Sequence, residues 1–299
     1  MDAGTIDMKV LEEVCKVSYR ALERAKGEVK PGARLLDVAV SLEDYIRGEG
    51  YGLAFPVNIS LNSEAAHYTP SYDDEKVFGE DVVKIDLGAE KEGVLGDCAA
   101  TIDLSGKNGD LTEASKLALD NAIASIKAGV EIGSIGAEIE RTISSSGFNP
   151  IMNLGGHGIG VNDLHSEPFI PNYDNGDGTL LEEGMVIAIE PFATTGIGSV
   201  VSGSVQEIFS FAGEALFRSL DARKLYGEVK SHYPHNPFAL RWVAGLFGSK
   251  FSLYAAVNEL LRAGAIVPHP VLVESSSGVV SQHEATVVVE KGGCRVLTA

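Results

Sequence analysis

Two segments of the sequence repeat one pattern at a distance of 97 residues. "KPGARLLDVAVSLEDYIRGEG" begins at Lys30, and "KAGVEIGSIGAEIERTISSSG" begins at Lys127. In both segments the apolar residues recur at intervals of three and four, and a glycine closes the segment. This spacing is typical of an amphipathic helix that ends at glycine. The chain is therefore predicted to contain two copies of one structural unit.

The two copies also continue in the same order. A second helical segment precedes each copy, and each copy is followed by a loop histidine, His67 in the first and His165 in the second. Each then reaches an apolar strand that ends in an acid, "DVVKID" at Asp86 and "MVIAIE" at Glu190. Helices outside a shared sheet predict a layered α+β fold with a pseudo-two-fold axis. A pocket is expected at the seam between the halves.

Composition and charge exclude several classes of protein. The net charge of −18 and the isoelectric point near 4.8 argue against nucleic acid as a specific partner. No secretory signal is visible at the N-terminus, and no apolar stretch is as long as a membrane helix. The cysteines, Cys15, Cys98 and Cys294, are too far apart for a disulfide framework or a zinc motif. We therefore expect a cytoplasmic protein without a membrane partner.

The charge is unevenly distributed along the chain. Residues 214–270 hold seven Lys and Arg against four Asp and Glu, a net charge of +3. The remaining residues hold 17 basic and 38 acidic side chains, a net charge of −21. This contrast predicts that 214–270 form a separate unit between residues 1–213 and 271–299.

Acidic residues interrupt an apolar hairpin in "KIDLGAEKEGVLGDCAATIDL", residues 84–104. Asp86 and Asp97 lie within its strands, where aspartate is uncommon. In a hairpin symmetric about the midpoint between Lys91 and Glu92, the two would face each other, with Cβ atoms about 4.5–5.5 Å apart. Like charges in that position repel, so we expect positive charge between them.

Three more residues have the same character. His157 lies in "NLGGHGIG", Glu190 ends an apolar strand, and Glu284 interrupts "VVSQHEATVVVE". Singly, each acid could be a strand-end charge and the histidine a packed side chain. Together with Asp86 and Asp97, they would place four carboxylates in a buried seam, where some would be protonated unless cations neutralise them. Two divalent ions would balance the charge and could activate water against a carbonyl group, which is hydrolytic chemistry.

Five blocks of the sequence resemble the signature blocks of the type 2 methionine aminopeptidases, in their archaeal form. These blocks are "FPVNISLNSEAAHYTP", "VVKIDLGAEKEGVLGDCAAT", "NLGGHGIG", "IAIEPFATTG" and "VVSQHEATVVVE". The resemblance implies the pita-bread metallopeptidase fold and removal of the initiator methionine from nascent polypeptides whose second residue is small. It also implies two divalent ions drawn from Co, Mn, Fe or Zn, a monomeric state and an inserted helical subdomain of winged-helix type at 214–270. An association with the ribosome is compatible with it.

The resemblance also implies a role for each site residue. Asp86 would bind one metal, His157 and Glu190 the other, and Asp97 and Glu284 both. The implied catalytic residues are His67, His165 and Glu190. The implied substrate-binding residues are His67, His165, Phe55, Leu164 and His269.

The sequence departs from the family pattern at three positions. His283 and Ala285 flank Glu284 where the family usually has Phe and His, and His269 stands where it has Tyr. Strand alternation is expected to point His283 and Ala285 away from the face of Glu284. His269 leaves the detailed shape of the substrate pocket open.

Two alternative functions remain at this point. One is a pita-bread peptidase that cleaves before proline, which would need much the same metal ligands. The 214–270 insertion and "AAHYTP" favour the methionine enzyme. The other is a non-catalytic relative that binds RNA or ribosomes, which should have lost ligands, whereas all five are present here.

Overall fold

The computed structural model describes residues 6–299 of the chain. No helix in this range is both long enough and apolar enough to cross a membrane. A 3₁₀ turn lies at Ala244–Leu246. The α-helices are α1 (Met8–Glu28), α2 (Leu35–Gly48), α3 (Gly109–Ser125), α4 (Ile132–Ser145), α5 (Leu220–His232), α6 (Leu240–Val243) and α7 (Lys250–Arg262).

Short strands form most of the remaining structure. Those of the first half are β1 (Gly52–Leu53), β2 (Asn58–Leu61), β3 (Glu64–Ala66), β4 (Val82–Leu87), β5 (Ala89–Lys91), β6 (Val94–Leu95) and β7 (Cys98–Asp103). The second half contributes β8 (Asn149–Pro150), β9 (Gly155–Gly160), β10 (Asp163–Pro171), β11 (Val186–Ile189), β12 (Phe192–Thr194) and β13 (Val200–Ser202). The remaining strands are β14 (Ile208–Phe211), β15 (Phe238–Ala239), β16 (Ile266–His269), β17 (Leu272–Glu274), β18 (Val280–Gln282), β19 (Glu284–Glu290) and β20 (Gly293–Val296).

The helices of the two halves confirm the repeat. Both ends of α4 lie 97 residues after the corresponding ends of α2. Gly32 and Gly129, three residues before these helices, both have φ +84°, a value that glycine adopts without strain. The amide of Gly32 donates to the Phe78 carbonyl, and the amide of Gly129 donates to the Leu181 carbonyl. Equivalent residues thus begin equivalent helices in each half.

The main sheet has the same symmetry. Its strands run in the order β10-β9-β11-β19-β7-β4-β2, and β20 pairs with β19 outside this path. From the antiparallel β19–β7 pair, β11 and β9 follow on one side and β4 and β2 on the other. Helices α1 and α2 pack on the first half of the sheet, and α3 and α4 pack on the second. The predicted α+β class is confirmed, and the seam lies between β7 and β19.

The register of the predicted hairpin was wrong by two residues. Asp86 pairs with Ala99, not with Asp97, which lies diagonally across from it on the same face. The turn is formed by Glu92 and Gly93, with φ +56° and +80°. Two consecutive positive φ angles define a type I′ hairpin turn, which favours glycine at its second position. The hairpin is therefore centred one residue later than the sequence midpoint suggested.

Residues 208–269 build a sheet with helices packed on it. Strand β14 pairs with both β15 and β16. Helices α5 and α7 pack on each other and share a hydrophobic cluster with this sheet, which includes Phe209, Leu225, Phe238 and Leu253. The cluster extends to β14, ahead of the predicted boundary at residue 214. This arrangement brings one end of β14 and of β16 next to the seam between the halves.

Candidate metal centre and substrate cavity

A cavity of about 400 Å³ opens at the seam of the main sheet. It is lined by every site residue that the sequence suggested. These residues are Phe55, His67, Asp86, Asp97, His157, Leu164, His165, Glu190, His269 and Glu284. Segments from both halves and from the 208–269 sheet therefore converge on one site.

Strand alternation directs the acids into this cavity. On β4, Ile85 and Leu87 pack under the helices of the first half, so Asp86 points to the opposite face of the sheet. On β19, Ala285 packs under α3 and α4, which leaves Glu284 on the cavity face. The adjacent pairing of β4, β7, β19 and β11 brings their acidic ends together.

The five candidate ligands form two groups that share one member. Ligand atoms of Asp97, His157 and Glu284 lie within 4.8 Å of one another. Those of Asp86, Glu190 and Glu284 also lie within 4.8 Å of one another. His157 Nε2 is 3.7 Å from Asp97 Oδ2 and 4.0 Å from Glu284 Oε1. Glu284 is common to both groups, as a residue that bridges two ions would be.

The electrostatics of this cluster favour bound cations. Burial raises the pKa of Asp86 to about 7. Burial, and then repulsion between neighbouring carboxylates, raises the pKa values of Asp97, Glu190 and Glu284 well above their usual range. Burial also lowers the pKa of His157 to about 4, so this ring is neutral and can offer a lone pair.

Several buried carboxylate oxygens of the cluster lack a hydrogen-bond partner in the described part of the chain. Among residues 6–299, Asp86 Oδ1, Asp97 Oδ1 and Glu284 Oε1 are buried without a hydrogen bond. Orphaned carboxylate oxygens are unfavourable in a protein interior unless a cation or a donor compensates them. Four carboxylates with one imidazole form a donor set that suits Mn, Fe, Co or Zn. The residues present therefore fit divalent metal ions.

Glycines on β9 aim His157 into the cluster. Its Nδ1 donates to the Gly158 carbonyl at 3.1 Å, which leaves Nε2 facing the carboxylates. A Cβ atom on Gly156 would lie 2.2 Å from the Ala188 carbonyl oxygen, and one on Gly158 would lie 2.2 Å from that of Glu167. Only glycine allows β9 to approach its neighbours this closely.

Three further histidines surround the cluster. Burial lowers the pKa of His67 to about 4 and also lowers the pKa values of His165 and His269. His67 has φ +64°, and its ring meets that of His269 edge-on with centroids 5.9 Å apart. The His165 ring lies 4.6 Å from the ring of His157. Neutral imidazoles at these positions can donate or accept a hydrogen bond beside a bound peptide.

The two residues that flank Glu284 point away from the cavity, as expected. His283 Nδ1 is 2.9 Å from the Ser115 hydroxyl on α3, and Ala285 lies in the core beneath α3 and α4. These departures from the family pattern therefore leave the acidic cluster intact.

Sequence reasoning missed two polar residues beside the acids. Gln282 Nε2 donates to Glu190 Oε1 at 2.6 Å and to Asp86 Oδ2 at 3.5 Å. Asn58 is paired with Asp86 across β2 and β4 and also lines the cavity. The available signal was strand alternation, because Gln282 precedes Glu284 by two residues and so shares its face.

The chain is similar to known proteins over nearly its whole length. Residues 9–215 match metallopeptidase family M24. The methionine aminopeptidase of Archaeoglobus fulgidus is 43% identical over 289 residues, which cover 96% of this chain and 97% of that protein. The methionine aminopeptidase of Thermococcus kodakarensis is 43% identical over 298 residues, 99% of this chain and 97% of that one.

Solved structures share the fold at low identity. The methionine aminopeptidase of Thermotoga maritima has a TM-score of 0.72 and 23% identity, with 99% of each chain covered. A thermophilic Arx1 has a TM-score of 0.82 and 19% identity, with 98% of this chain and 91% of that chain covered. The chain therefore belongs to metallopeptidase family M24, among the archaeal methionine aminopeptidases, and has the pita-bread fold of that family.

Proposed function

We propose that this protein is a type 2 methionine aminopeptidase, which hydrolyses the first peptide bond of polypeptides that begin with methionine and a small second residue. The observation that carries the proposal is a single cavity that joins a five-residue metal cluster to histidines and an apolar wall. The identity of about 43% to methionine aminopeptidases over nearly the whole chain supports the same activity.

Two divalent ions of the Mn, Fe, Co or Zn class are proposed as the cofactor. Asp97, His157 and Glu284 would hold one ion, and Asp86, Glu190 and Glu284 would hold the other. This grouping puts Glu190 with Asp86, whereas the family resemblance implied that Glu190 binds the same ion as His157. Asp97 falls in only one of these groups, so its proposed bridging role rests on the family resemblance. When bound, such a pair supplies a Lewis acid for the scissile carbonyl and an activated water.

The chain's own residues would manage the protons of the reaction. Glu190 is proposed to take a proton and deliver it to the leaving amine, because its carboxylate lines the cavity beside the other candidate ligands, where the attacking water and the scissile bond would lie. Gln282 orients this carboxylate by donating a hydrogen bond to Glu190 Oε1. His67 and His165, neutral and on the cavity wall, are proposed to donate hydrogen bonds to the scissile peptide group.

The apolar side of the cavity supports methionine as the first residue. Phe55, Leu164, Phe192 and Ile208 line it together with His269. A cavity of about 400 Å³ lies within the range of ligand pockets, and its apolar wall suits the flexible, unbranched thioether side chain of methionine. The rest of the substrate would extend outward, so a small second residue is expected to clear the histidines best.

The proposed site of action is the cytoplasm, with nascent polypeptides as substrates and a monomer as the active form. Cys15, Cys98 and Cys294 are all free thiols, which suits a reducing compartment. An association with the ribosome is also proposed, on the basis of the basic character of residues 214–270. A sucrose-gradient cosedimentation with ribosomes at two salt concentrations would test it.

Peptide hydrolysis under defined metals tests the function. Purified protein, stripped with chelator and reloaded with Mn, Fe, Co or Zn, would be incubated with Met-Ala-Ser, Met-Leu-Ser and Ala-Pro-Ala. We expect release of methionine from Met-Ala-Ser with at least one metal, slower release from Met-Leu-Ser, and no activity in the stripped protein. Cleavage of Ala-Pro-Ala alone would favour the proline-directed peptidase, and no cleavage under any metal would favour a non-catalytic relative.

A further inference from the structure

A buried ion pair joins the helical insertion to the first half of the molecule. Arg241 on α6 binds the carboxylate of Glu43 on α2, and the two side chains are 3% and 2% exposed. The same carboxylate accepts hydrogen bonds from Trp242 Nε1 at 2.8 Å and from the Val57 amide at 3.3 Å. A buried pair of this kind needs its remaining donors and acceptors satisfied, and among residues 6–299 only Arg241 Nε of this pair is buried without a hydrogen-bond partner.

The second arm of Arg241 reaches the loop that carries His67. Its Nη1 donates to Thr69 Oγ1 and to the Pro70 carbonyl, the latter at 3.1 Å. Thr69 Oγ1 in turn donates to the Val57 carbonyl at 2.7 Å. The guanidinium group therefore fixes the chain two and three residues beyond His67.

The backbone at His67 needs such support. Its φ of +64° is unfavourable for a residue with a Cβ atom and persists only where the surroundings enforce it. On its N-terminal side, Ala66 is paired with Leu272 in β17. On its C-terminal side, the Tyr68 carbonyl accepts from the Ile59 amide at 2.7 Å, and Arg241 holds Thr69 and the carbonyl of Pro70.

Arg241 also belongs to the part of the molecule that forms the opposite wall. Ile208, Pro237 and His269 line the cavity from the 208–269 sheet and its connections. The Leu240 amide, next to Arg241, donates to the Glu207 carbonyl, which precedes Ile208. The guanidinium group thus connects the wall that carries His269 to the loop that carries His67.

We propose that Arg241 is a positioning residue for hydrolysis, which acts through Thr69 and Pro70 to hold His67 in its place on the cavity wall. Neither Arg241 nor Glu43 lines the cavity. The inference depends on the proposed aminopeptidase function for its kinetic readout, but the placement of His67 has a readout of its own.

The variants must separate an effect on the position of His67 from an effect on the stability of the fold. R241M alone would remove the close, buried partner of Glu43 and leave this carboxylate with the half-exposed Arg47 at 3.8 Å, so it is expected to destabilise the fold. The double variant E43Q/R241M removes both charges together, and E43Q keeps an amide oxygen that accepts from Trp242. R241K retains the charge beside Glu43 but lacks the planar fork that reaches Thr69 and Pro70 at once.

The control removes another link between the same two parts of the molecule. Lys250 on α7 contacts Asp73 at 2.9 Å, and their side chains are 52% and 44% exposed. An exposed pair of this kind adds little to stability. K250M is therefore expected to leave both kcat and the melting temperature close to wild type.

The kinetic test is a double-mutant cycle on Met-Ala-Ser hydrolysis. E43Q/R241M and R241K are expected to fold and bind metal normally and to lose roughly 10–100-fold in kcat, since small misplacements of an active group can have effects of that size. In an H67A background, removal of the Arg241–Glu43 pair is expected to change kcat by less than about twofold, because two residues that act through one another are not additive. Full kcat in E43Q/R241M, or an equal loss with and without His67, would overturn the proposal.

An NMR experiment tests the placement of His67 without relying on peptide hydrolysis. Imidazole ¹⁵N–¹H spectra of histidine-labelled protein, with the His67 signals assigned by H67A, would be compared among wild type, E43Q/R241M and K250M. The His67 signals should shift in E43Q/R241M and stay in place in K250M. Unshifted His67 signals would overturn the positioning role whatever the activity, whereas absent hydrolysis by the wild type would overturn only the proposed function.

Discussion

At the residue scale, the acidic cluster contains buried carboxylates that the other described residues do not fully neutralise or hydrogen-bond. Burial raises the pKa values of four carboxyl groups, and three carboxylate oxygens within the described chain have no hydrogen-bond partner. Packing alone would favour apolar side chains at these strand positions. The acids are therefore best explained by cations that bind between them.

Replacement of Asp97 by Asn tests this explanation at one residue. Asp97→Asn removes one negative charge beside His157 and Glu284, so we expect a folded protein with weakened metal binding and little hydrolysis of Met-Ala-Ser. Asp103, half-buried at the far end of β7 and held by Ser105 and Asn108, offers a matched Asp→Asn control outside the cavity. Elemental analysis of both variants after dialysis would give the metal content. Two metals per chain and full activity in Asp97→Asn would leave Asp97 as only a strand-end charge.

The sequence was sufficient to predict the residues that line the site, but not the distant residues that support them. Asp86, Asp97 and Glu284 were visible because an acid inside an apolar strand is anomalous in any context. Arg241 carried no such signal, since a lone arginine in a basic segment looks like a surface charge. Its partner Glu43 is 198 positions away in the sequence, and only the folded chain brings them together.

At the element scale, the repeat predicted helices better than it predicted strand register. The matching bounds of α2 and α4 follow from matching patterns of apolar residues and glycine. The β4–β7 register instead depends on the two-residue turn at Glu92 and Gly93, whose positive φ angles select the centre of the hairpin. "KEG" gave too weak a signal to place that centre.

A pair of substitutions at this turn tests its role in setting the register. Gly93→Ala is expected to lower the free energy of unfolding by about 1–2 kcal/mol, because a Cβ atom is strained in the left-handed region. Asn162, 2.7 Å from that Cβ position, adds crowding. Glu92→Gly relieves the same strain at the preceding residue and should be neutral or stabilising. Urea denaturation would measure both, and equal effects of the two changes would contradict the type I′ assignment.

At the scale of the whole molecule, the site is formed where the two halves and the 208–269 sheet meet. The two halves supply the acids from strands on each side of the β7–β19 pair, and the 208–269 sheet supplies one cavity wall. We propose that the inserted unit starts near Ile208 rather than at 214, because β14 belongs to its sheet. Charge alone could not locate that boundary, since β14 contains no charged residue.

The stability of the whole fold should depend on metal, and more strongly at higher pH. In the metal-free protein the raised pKa of Asp86, about 7 against an ordinary 3.8, means that the folded state binds a proton more tightly than the unfolded state. That stabilisation is complete below about pH 4 and is lost as the pH rises through 7. Chelator should therefore lower Tm more at pH 8 than at pH 5.5. A Tm drop that is the same at both pH values, or no drop, would contradict this account.

Anomalous diffraction from crystals loaded with Mn²⁺ would show directly whether the seam binds two ions. Two peaks roughly 3.5–4 Å apart are expected, which is the spacing of two-metal sites. One should lie among Asp97, His157 and Glu284, and the other among Asp86, Glu190 and Glu284. A single peak, or no peak in the cavity at saturating Mn²⁺, would contradict the dinuclear site.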